Sequence, residues 1–577
     1  VHLADTKPVT SGRRTQSAVS AAPEHPASEP PAQWHRVLTL LADISLFIGT
    51  RAVWTQAASH RPAVAAVISV CYASILICGV LALTVRSRRS LARLDLLILL
   101  TAVTLTLCAW VLLHQGSDEA QLTTQAAKEL AAGHPMYGRP WPWLFGHTVA
   151  LTPTVTGTYD LTYGYPPLAP LLTAPLLGLG HGAAPATAVS TAALIIGALL
   201  LWRMLPTPWR PAATMVFLGF GILPQYARLG YPAIVALALL VPVVVAWPRI
   251  GKGGRLGASG LARAACLGAA CAAQQLPWFL APFLLAGLYA VRRGELGPRR
   301  AALLLLRFTG TAALAWLLLN TYFIASEPAA WLDGIALPLT QGAVLHGQGL
   351  VDVSLYLTHG SDRLDWYSHA SLLLAAGLFA VFVLFIRRLG PTATILPWCA
   401  FFLATRSQDG YYLMMTPLWL ASAVTAPASE FTQAWQPRLG AHRTRIALAA
   451  LALTPALLAA TLAATGEPPL HMQVTALHRS RPVTASRLHL TVTNTSGTAL
   501  TPHFMLTTGQ GMSRYWRIVH GPKRLPPHTT ASYDLGPPTT PYGGRYVIPR
   551  AGAHLRLRAF TATPQTLSTT YVSLPSW

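Results

Sequence analysis

From residue 63 to residue 464 the chain passes through one stretch after another of roughly 15–24 residues that carry almost no charge. A bilayer's hydrocarbon core is about 30 Å thick, so about 20 apolar helical residues span it. No water is available there, and a helix satisfies its backbone hydrogen bonds internally. Repeated segments of this kind predict a polytopic helical membrane protein. Composition agrees: 53% of the 577 residues are hydrophobic and 11% are charged, whereas a soluble chain carries about a quarter charged residues.

Candidate spans are 37–56, 63–85, 95–113, 184–205, 211–227, 231–247, 261–275, 277–291, 302–325, 370–387, 391–405, 411–426 and 445–464. The loops RSRRSLAR (86–93), WRMLPTPWR (202–210), WPRIGKGGRLGASGLAR (247–263), VRRGELGPRR (291–300), IRRLG (386–390) and QPRLGAHRTR (436–445) are all basic. They fall on one side if residues 166–179 do not cross, and the four prolines there suit a surface or re-entrant helix. Basic loops stay cytoplasmic. The expected topology is therefore about thirteen crossings of the plasma membrane, N-terminus inside and C-terminus outside. Asp43 and Arg51 leave open whether 37–56 spans or lies at the interface.

The same topology accounts for the net charge of +23 without any nucleic-acid partner. All six cysteines sit in apolar segments, which suggests neither a disulfide framework nor a zinc site. Residues 1–33 are polar and rich in Pro, Ser and Ala, and read as a disordered cytoplasmic tail rather than a signal peptide.

The transmembrane domain is read as 34–464, with loops at 114–183, 326–369 and 406–410 outside. After residue 465 the pattern changes. LHMQVTALH, SRLHLTVTNTSG, TPHFMLTTG, YWRIVHG, TTASYDLG, GGRYVIP and HLRLRAFTA are short alternating runs separated by Gly, Pro and Asn. They predict a small antiparallel β-sandwich over 465–577. Eleven Lys/Arg there face only Glu467 and Asp534, a balance that suits anionic headgroups or cell-surface polymers, or simply solubility.

The segment GSDEAQLTTQAAKELAAGHPMYG (116–138) stands between two apolar regions. Ser117 is placed to cap a helix whose first turn holds Asp118 and Glu119, where acids suit the positive end of the helix dipole. Leu122, Ala126 and Leu130 form one apolar stripe able to lie on a membrane, and Gly133 and Pro135 end the helix. A helix start thus explains both acids without catalysis. They equally suit the working acids of an enzyme.

An acid pair after an early apolar helix, then A-x-x-L-x-x-G-x-P-x-Y, then Y-P-P-L, resembles the first exported loop of GT-C glycosyltransferases. The likeness is closest to bacterial members that use polyprenyl-phosphate mannose or arabinofuranose. It rests on Asp118, Glu119, Ala127, Leu130, Gly133, Pro135, Tyr137 and Tyr165-Pro166-Pro167-Leu168. Weaker echoes are QQLPWFLAPF (274–283), HGQGL (346–350) and RSQDGYYLMMTPLWL (406–420). The resemblance covers about residues 95–426 and leaves the first two spans and the β-region outside it.

It implies a GT-C-like bundle that transfers a sugar from a polyprenyl phosphate to an extracytoplasmic glycan, glycolipid or protein. The reaction is a displacement at the anomeric carbon, usually with inversion. A carboxylate takes the acceptor's proton; the resemblance places that base at Asp118, with Glu119 next. Neighbours on a helix point about 100° apart, so one of the two is expected to face the acceptor. The leaving lipid phosphate needs cationic or backbone donors. Arg406 is the first candidate, with Arg228 and His346 behind it; ordinary interfacial roles are the alternative for each. Tyr137, Tyr163, Tyr165, Trp141 and Trp143 are candidates for sugar contact, and aromatic residues also collect at membrane interfaces by default. Asp160 is open to orienting the acceptor, holding a divalent cation (the one cofactor the resemblance admits) or making a turn.

The β-region would bind or orient the acceptor. A transporter or lipid flippase is a different reading, weakened by the lack of an internal repeat and by acids clustered at the outer face rather than at the midplane. A third is a non-catalytic cell-envelope protein whose β-region binds glycan.

Overall fold

The computed structural model describes residues 30–572 except 115, 146–151, 341, 343, 345, 440–441, 482–483, 510, 539–545 and 549–553. Most of the expected tail, residues 1–29, lies outside the described residues. Three long helices come first: α1 (Gln33–His60), α2 (Pro62–Thr84) and α3 (Arg88–Leu112). The loop region from 114 to 183 holds α4 (Asp118–Ala131) and α5 (Leu168–Thr173). Then follow α6 (Ala184–Met204), α7 (Arg210–Leu218), α8 (Ile222–Leu229), α9 (Pro232–Val244), α10 (Gly257–Ala273), α11 (Leu276–Leu296), α12 (Pro298–Ser326) and α13 (Pro328–Thr340). The short strands β1 (His346–Gly347) and β2 (Gly360–Ser361) precede α14 (Asp365–Leu384), α15 (Ile386–Leu389) and α16 (Leu396–Cys399). After β3 (Arg406–Ser407) come α17 (Asp409–Leu413), α18 (Thr416–Thr425) and α19 (His442–Ala464).

Among the described residues, seven helices are long and apolar enough to cross a membrane: α1, α2, α3, α6, α12, α14 and α19. Large apolar side chains stand open on their surfaces, Val70 at 70% and Leu318 at 68% exposed. On helices of span length, such exposed apolar side chains suit contact with lipid. These features mark a mainly helical, membrane-associated chain. Residues 37–56 belong to the continuous α1, and residues 166–179 form only a six-residue helix and a 3-10 turn.

Three other candidate spans are broken rather than continuous. The 211–227 segment splits at Gly219–Gly221, where Phe220 and Gly221 take φ of 55° and 75°. The freed Phe220 N–H donates to Ser45 O of α1 at 2.9 Å. Gly49 permits this approach, since a Cβ on it would meet Gly221 N at 2.4 Å. The 391–405 segment is a chain of short turns around α16, and 411–426 divides into α17 and α18 before Pro417. Prolines at 391, 397 and 417 lack the N–H that a continuous helix needs.

The first helices are pinned to one another by polar groups. His35 Nε2 meets Asp95 Oδ2 at 2.8 Å, and Thr39 Oγ1 donates to Asp95 Oδ1 at 2.8 Å, all buried.

The C-terminal region holds β4 (Leu470–Arg481), β5 (Thr484–Asn494), β6 (His503–Thr508), β7 (Gly511–Met512), β8 (Arg517–His520), β9 (Thr530–Gly536), β10 (Tyr546–Val547), β11 (Leu555–Ala562) and β12 (Gln565–Tyr571). One antiparallel sheet joins β4, β5, β9 and β8, with β10 beside the start of β5. The other runs β2-β12-β11-β6-β7. Leu488, Leu490 and Leu535 of the first sheet share a core with Phe504, Leu506 and Leu557 of the second.

Strand β12 was not expected from its sequence, QTLSTTY. Two of its inward polar side chains are satisfied: Ser568 Oγ accepts from Leu470 N at 3.0 Å and Thr566 pairs with Thr561 at 2.7 Å. Strand β2, from the 326–369 loop, pairs with β12 and so belongs to the C-terminal sheet. Tyr515 adds a second tie, its hydroxyl donating to Thr154 O at 2.6 Å. Arg558 adds a third, donating to Leu355 O at 3.0 Å. The β-region is thus packed onto the loops that surround the candidate site.

Candidate functional site

Helix α4 begins as its sequence suggests but is held differently. Ser117 occupies the N-cap position, yet its hydroxyl donates to Leu229 O at 2.8 Å instead of capping its own helix. The expected cap is therefore a tie between α4 and the end of α8. Gly116 and Gly230, both at positive φ, allow it, because a Cβ on either would meet Ala120 Cβ at 2.7 and 2.5 Å. The apolar stripe does not lie on a membrane. Leu122 and Ala126 are buried, with Leu130 beside them, against Tyr137, Trp141, Tyr163, Phe323 and Ile335. The loop and the α12–α13 corner offer that face a protein partner.

Asp118 Oδ2 accepts from Thr152 Oγ1 at 3.1 Å, and its Oδ1 from Glu119 N at 3.0 Å. Glu119 points elsewhere, into a cavity of about 560 Å³. Tyr165, Gln274, Gln408 and Arg406 supply the rest of its main polar wall, and Leu276, Phe279, Leu339, Leu372, Phe401 and Met414 an apolar one. Four separate motifs of the sequence, QQLPWF, YGYPP, HGQGL and RSQDGYY, meet there. Gln275 holds the YGYPP loop, its Nε2 donating to Gly164 O and Ile335 O, both at 2.9 Å. The HGQGL and RSQDGYY segments pair as parallel strands β1 and β3, His346 opposite Arg406.

That pairing explains the glycines of HGQG. Gly347 sits at φ +133°, and a Cβ there would meet Ser407 O at 2.2 Å; on Gly349 it would meet Phe402 O at 2.4 Å. Gly347→Ala is therefore expected to push β1 off β3 and to destabilise the protein by about 1–3 kcal/mol. Thermal unfolding of the detergent-solubilised variant measures this, and an unchanged midpoint would contradict the close approach.

The charges in and behind the wall act on one another. Burial pushes Glu119 up to about 8; the Asp118 charge adds to this, while a Tyr165 hydrogen bond and the Arg406 charge oppose it. Burial likewise raises Asp118, against its hydrogen bonds from Thr152 and Glu119 N–H and the charge of Arg406. Asp160 rises to about 6, mainly through burial, with the Thr162 N–H opposing and Asp118 adding. Burial also works against the charge on Arg406, but Tyr411, Tyr165, Glu119 and Asp118 outweigh it and hold the guanidinium protonated. Its Nε is buried and has no hydrogen-bond partner among the described residues. A donor in that state is available to an anion.

Among the described side chains, the remaining sequence candidates fall outside the cavity wall. Arg228 is half-buried on α8, its Nε donating to Pro224 O at 3.3 Å. The side chain of His346 lies outside the described residues; its backbone alone is placed, in β1. Tyr137 and Tyr163 are buried, donating to Tyr165 O at 2.9 Å and Pro166 O at 3.1 Å. They brace Tyr165 from behind and do not line the cavity, because the stripe of α4 packs over them. Trp141 is buried with them, and Trp143 is 66% exposed. Asp160 makes the turn contact, accepting from Thr162 N at 3.3 Å. Among the described residues, no group of three His, Cys, Asp or Glu is placed to hold a metal ion.

The sequence offered no signal for several wall residues: Tyr231, Asp365, Ser368, His369 and Gln565. Gln565 comes from the first residue of β12, whose carbonyl accepts from Leu364 N at 3.2 Å. The C-terminal region therefore contributes to the same cavity as α4. No protein-family model, curated protein or solved structure matches the chain.

Proposed function

We propose that the protein is a membrane glycosyltransferase that moves mannose or arabinofuranose from a polyprenyl phosphate to an extracytoplasmic glycan, glycolipid or protein. One observation carries the reading: Glu119 and an Arg406 with a free buried Nε share a single cavity that also has an apolar wall. A polyprenyl phosphate needs just those three surfaces, for its chain, its phosphate and the base that acts on the incoming hydroxyl. The basic loops support placing the cavity on the extracytoplasmic face.

In this scheme the acceptor oxygen attacks the anomeric carbon as the bond from that carbon to the phosphate oxygen breaks. The electron pair leaves with the lipid phosphate, and Arg406 meets the charge that develops there. Glu119 receives the acceptor's proton. A carboxyl near 8 is a stronger base than an ordinary one while still partly ionised at neutral pH, which suits that work. Asp118, the first choice from sequence, acts on Glu119 through its charge. Asp160 is the position a cation-dependent version of the scheme would use. The two C-terminal sheets form a sandwich whose role is to orient the acceptor, and Gln565 is its reach into the cavity.

Purified protein in lipid nanodiscs, given each donor with a glycan acceptor, tests this directly. Appearance of glycosylated acceptor with stoichiometric polyprenyl phosphate supports the proposal. Should neither donor be consumed while the protein moves polyprenyl-phosphate lipids across proteoliposomes, the flippase reading replaces it.

A further inference from the structure

The end of α11 distant from the cavity carries a second recess. Leu276 lines the first site and Leu296 the second. The 21 residues of α11 span about 30 Å, the thickness of a hydrocarbon core. The recess, about 260 Å³, is walled by Arg255, Arg300 and Arg307 over a floor of Leu296, Leu303 and Leu304.

These three arginines differ from others nearby. Arg249 is paired with Glu430 at 2.8 Å, and Arg292 with Glu295. Glu295 is the acid closest in sequence, and its other oxygen accepts from Gly253 N at 2.8 Å. Among the described residues, Arg255, Arg300 and Arg307 have no carboxylate partner. Lys252 and Arg299 are further exposed cations in the flanking segments. The local charge is therefore strongly positive and uncompensated.

Arg300 and Arg307 lie seven residues, two turns, apart on α12, so they share a face with Leu303 and Leu304 between them. Leu304 is buried and closes the recess, whereas Leu303 is 57% exposed and Leu306, about 60° further round the helix, 68%. Arg307 is exposed inside an otherwise apolar helix, about 10 Å along the axis from Arg300. A guanidinium at that depth needs an anion or a path to water. A bare excess of basic residues at one membrane face requires no such recess and no leucine floor.

We propose that this recess binds the phosphate of an anionic phospholipid, the acyl chains lying along Leu303 and Leu306. Phosphate is the shared chemistry of a lipid headgroup and a soluble anion, and the leucines favour the lipid. The site is independent of the transfer reaction. Native mass spectrometry of the full chain, released from detergent with phosphatidylglycerol, phosphatidylcholine or inorganic phosphate, tests it.

Wild type should retain phosphatidylglycerol but not phosphatidylcholine, and the Arg255→Gln/Arg300→Gln/Arg307→Gln variant should bind about a hundredfold more weakly. The corresponding triple Arg→Lys variant should recover most of the retention. Arg299→Gln, outside the recess, should match wild type and controls for loss of general charge. Equal retention by wild type and both triple variants overturns the site. Full displacement of the lipid by millimolar inorganic phosphate overturns the lipid assignment.

Discussion

Glu119→Gln is expected to lower sugar transfer by about 10²–10⁴-fold, the range for removing a positioned general base. Donor affinity should change little, because the amide keeps the shape of the wall. The pH dependence makes the expectation sharper. Burial first, and Asp118 second, raise Glu119 to about 8. Transfer by wild type should therefore climb with pH through about 8 as the carboxylate forms. Asp118→Asn removes the neighbouring negative charge and should move that limb to lower pH. A variant that keeps full transfer, or a limb that moves upward in Asp118→Asn, would falsify the assignment of Glu119.

The same shift has a consequence for stability. Between its ordinary value of 4.5 and about 8, the folded protein keeps a proton on Glu119 that the unfolded chain has released. Raising the pH through that window therefore weakens the fold, and stability from this group is greatest below it. Glutamine cannot ionise, so Glu119→Gln should flatten the decline of the melting temperature across the window while it lowers transfer. A site that loses activity and gains stability at high pH is hard to explain by misfolding.

Arg406→Gln is expected to lower kcat by about 10²–10³-fold, as for loss of one preorganised donor to a developing anion. Arg406→Lys should restore only part of it, since an ammonium cannot present the planar fork that meets two phosphate oxygens. Arg406 also holds Glu119 down, so its removal should move the pH limb upward. That is opposite to the effect of Asp118→Asn. Opposite shifts from two single substitutions would place both charges around one carboxylate. An unchanged kcat in Arg406→Gln, or no displacement of the limb, would remove the arginine from the site.

The membrane character was legible because apolar runs of span length have few other uses, and α1, α2, α3, α6, α12, α14 and α19 follow them closely. The strands after residue 465 were legible too, through alternation. Strand β12 was hidden because its buried positions hold Ser568, Thr566 and Thr569, polar side chains that read as solvent-facing. The breaks at Gly219–Gly221 and before Pro417 occur inside apolar runs, where hydropathy sees only continuity. The acid pair and Arg406 were expected to serve one reaction through the resemblance, while the way the QQLPWF, HGQGL and YPPL segments build the wall between them was not legible.

What the order of residues determined by itself is local: where the long apolar helices lie, where acids and arginines stand along the chain, and where the alternating strands begin. The tertiary structure decided which of two adjacent carboxylates faces the cavity, because Thr152, 34 residues away, holds Asp118 aside. It also turned the stripe of α4 from an expected membrane face into a protein core, and brought Gln565 to a wall that begins at Glu119. Side-chain direction and long-range contact depend on what packs against each element, and no local pattern carries that information.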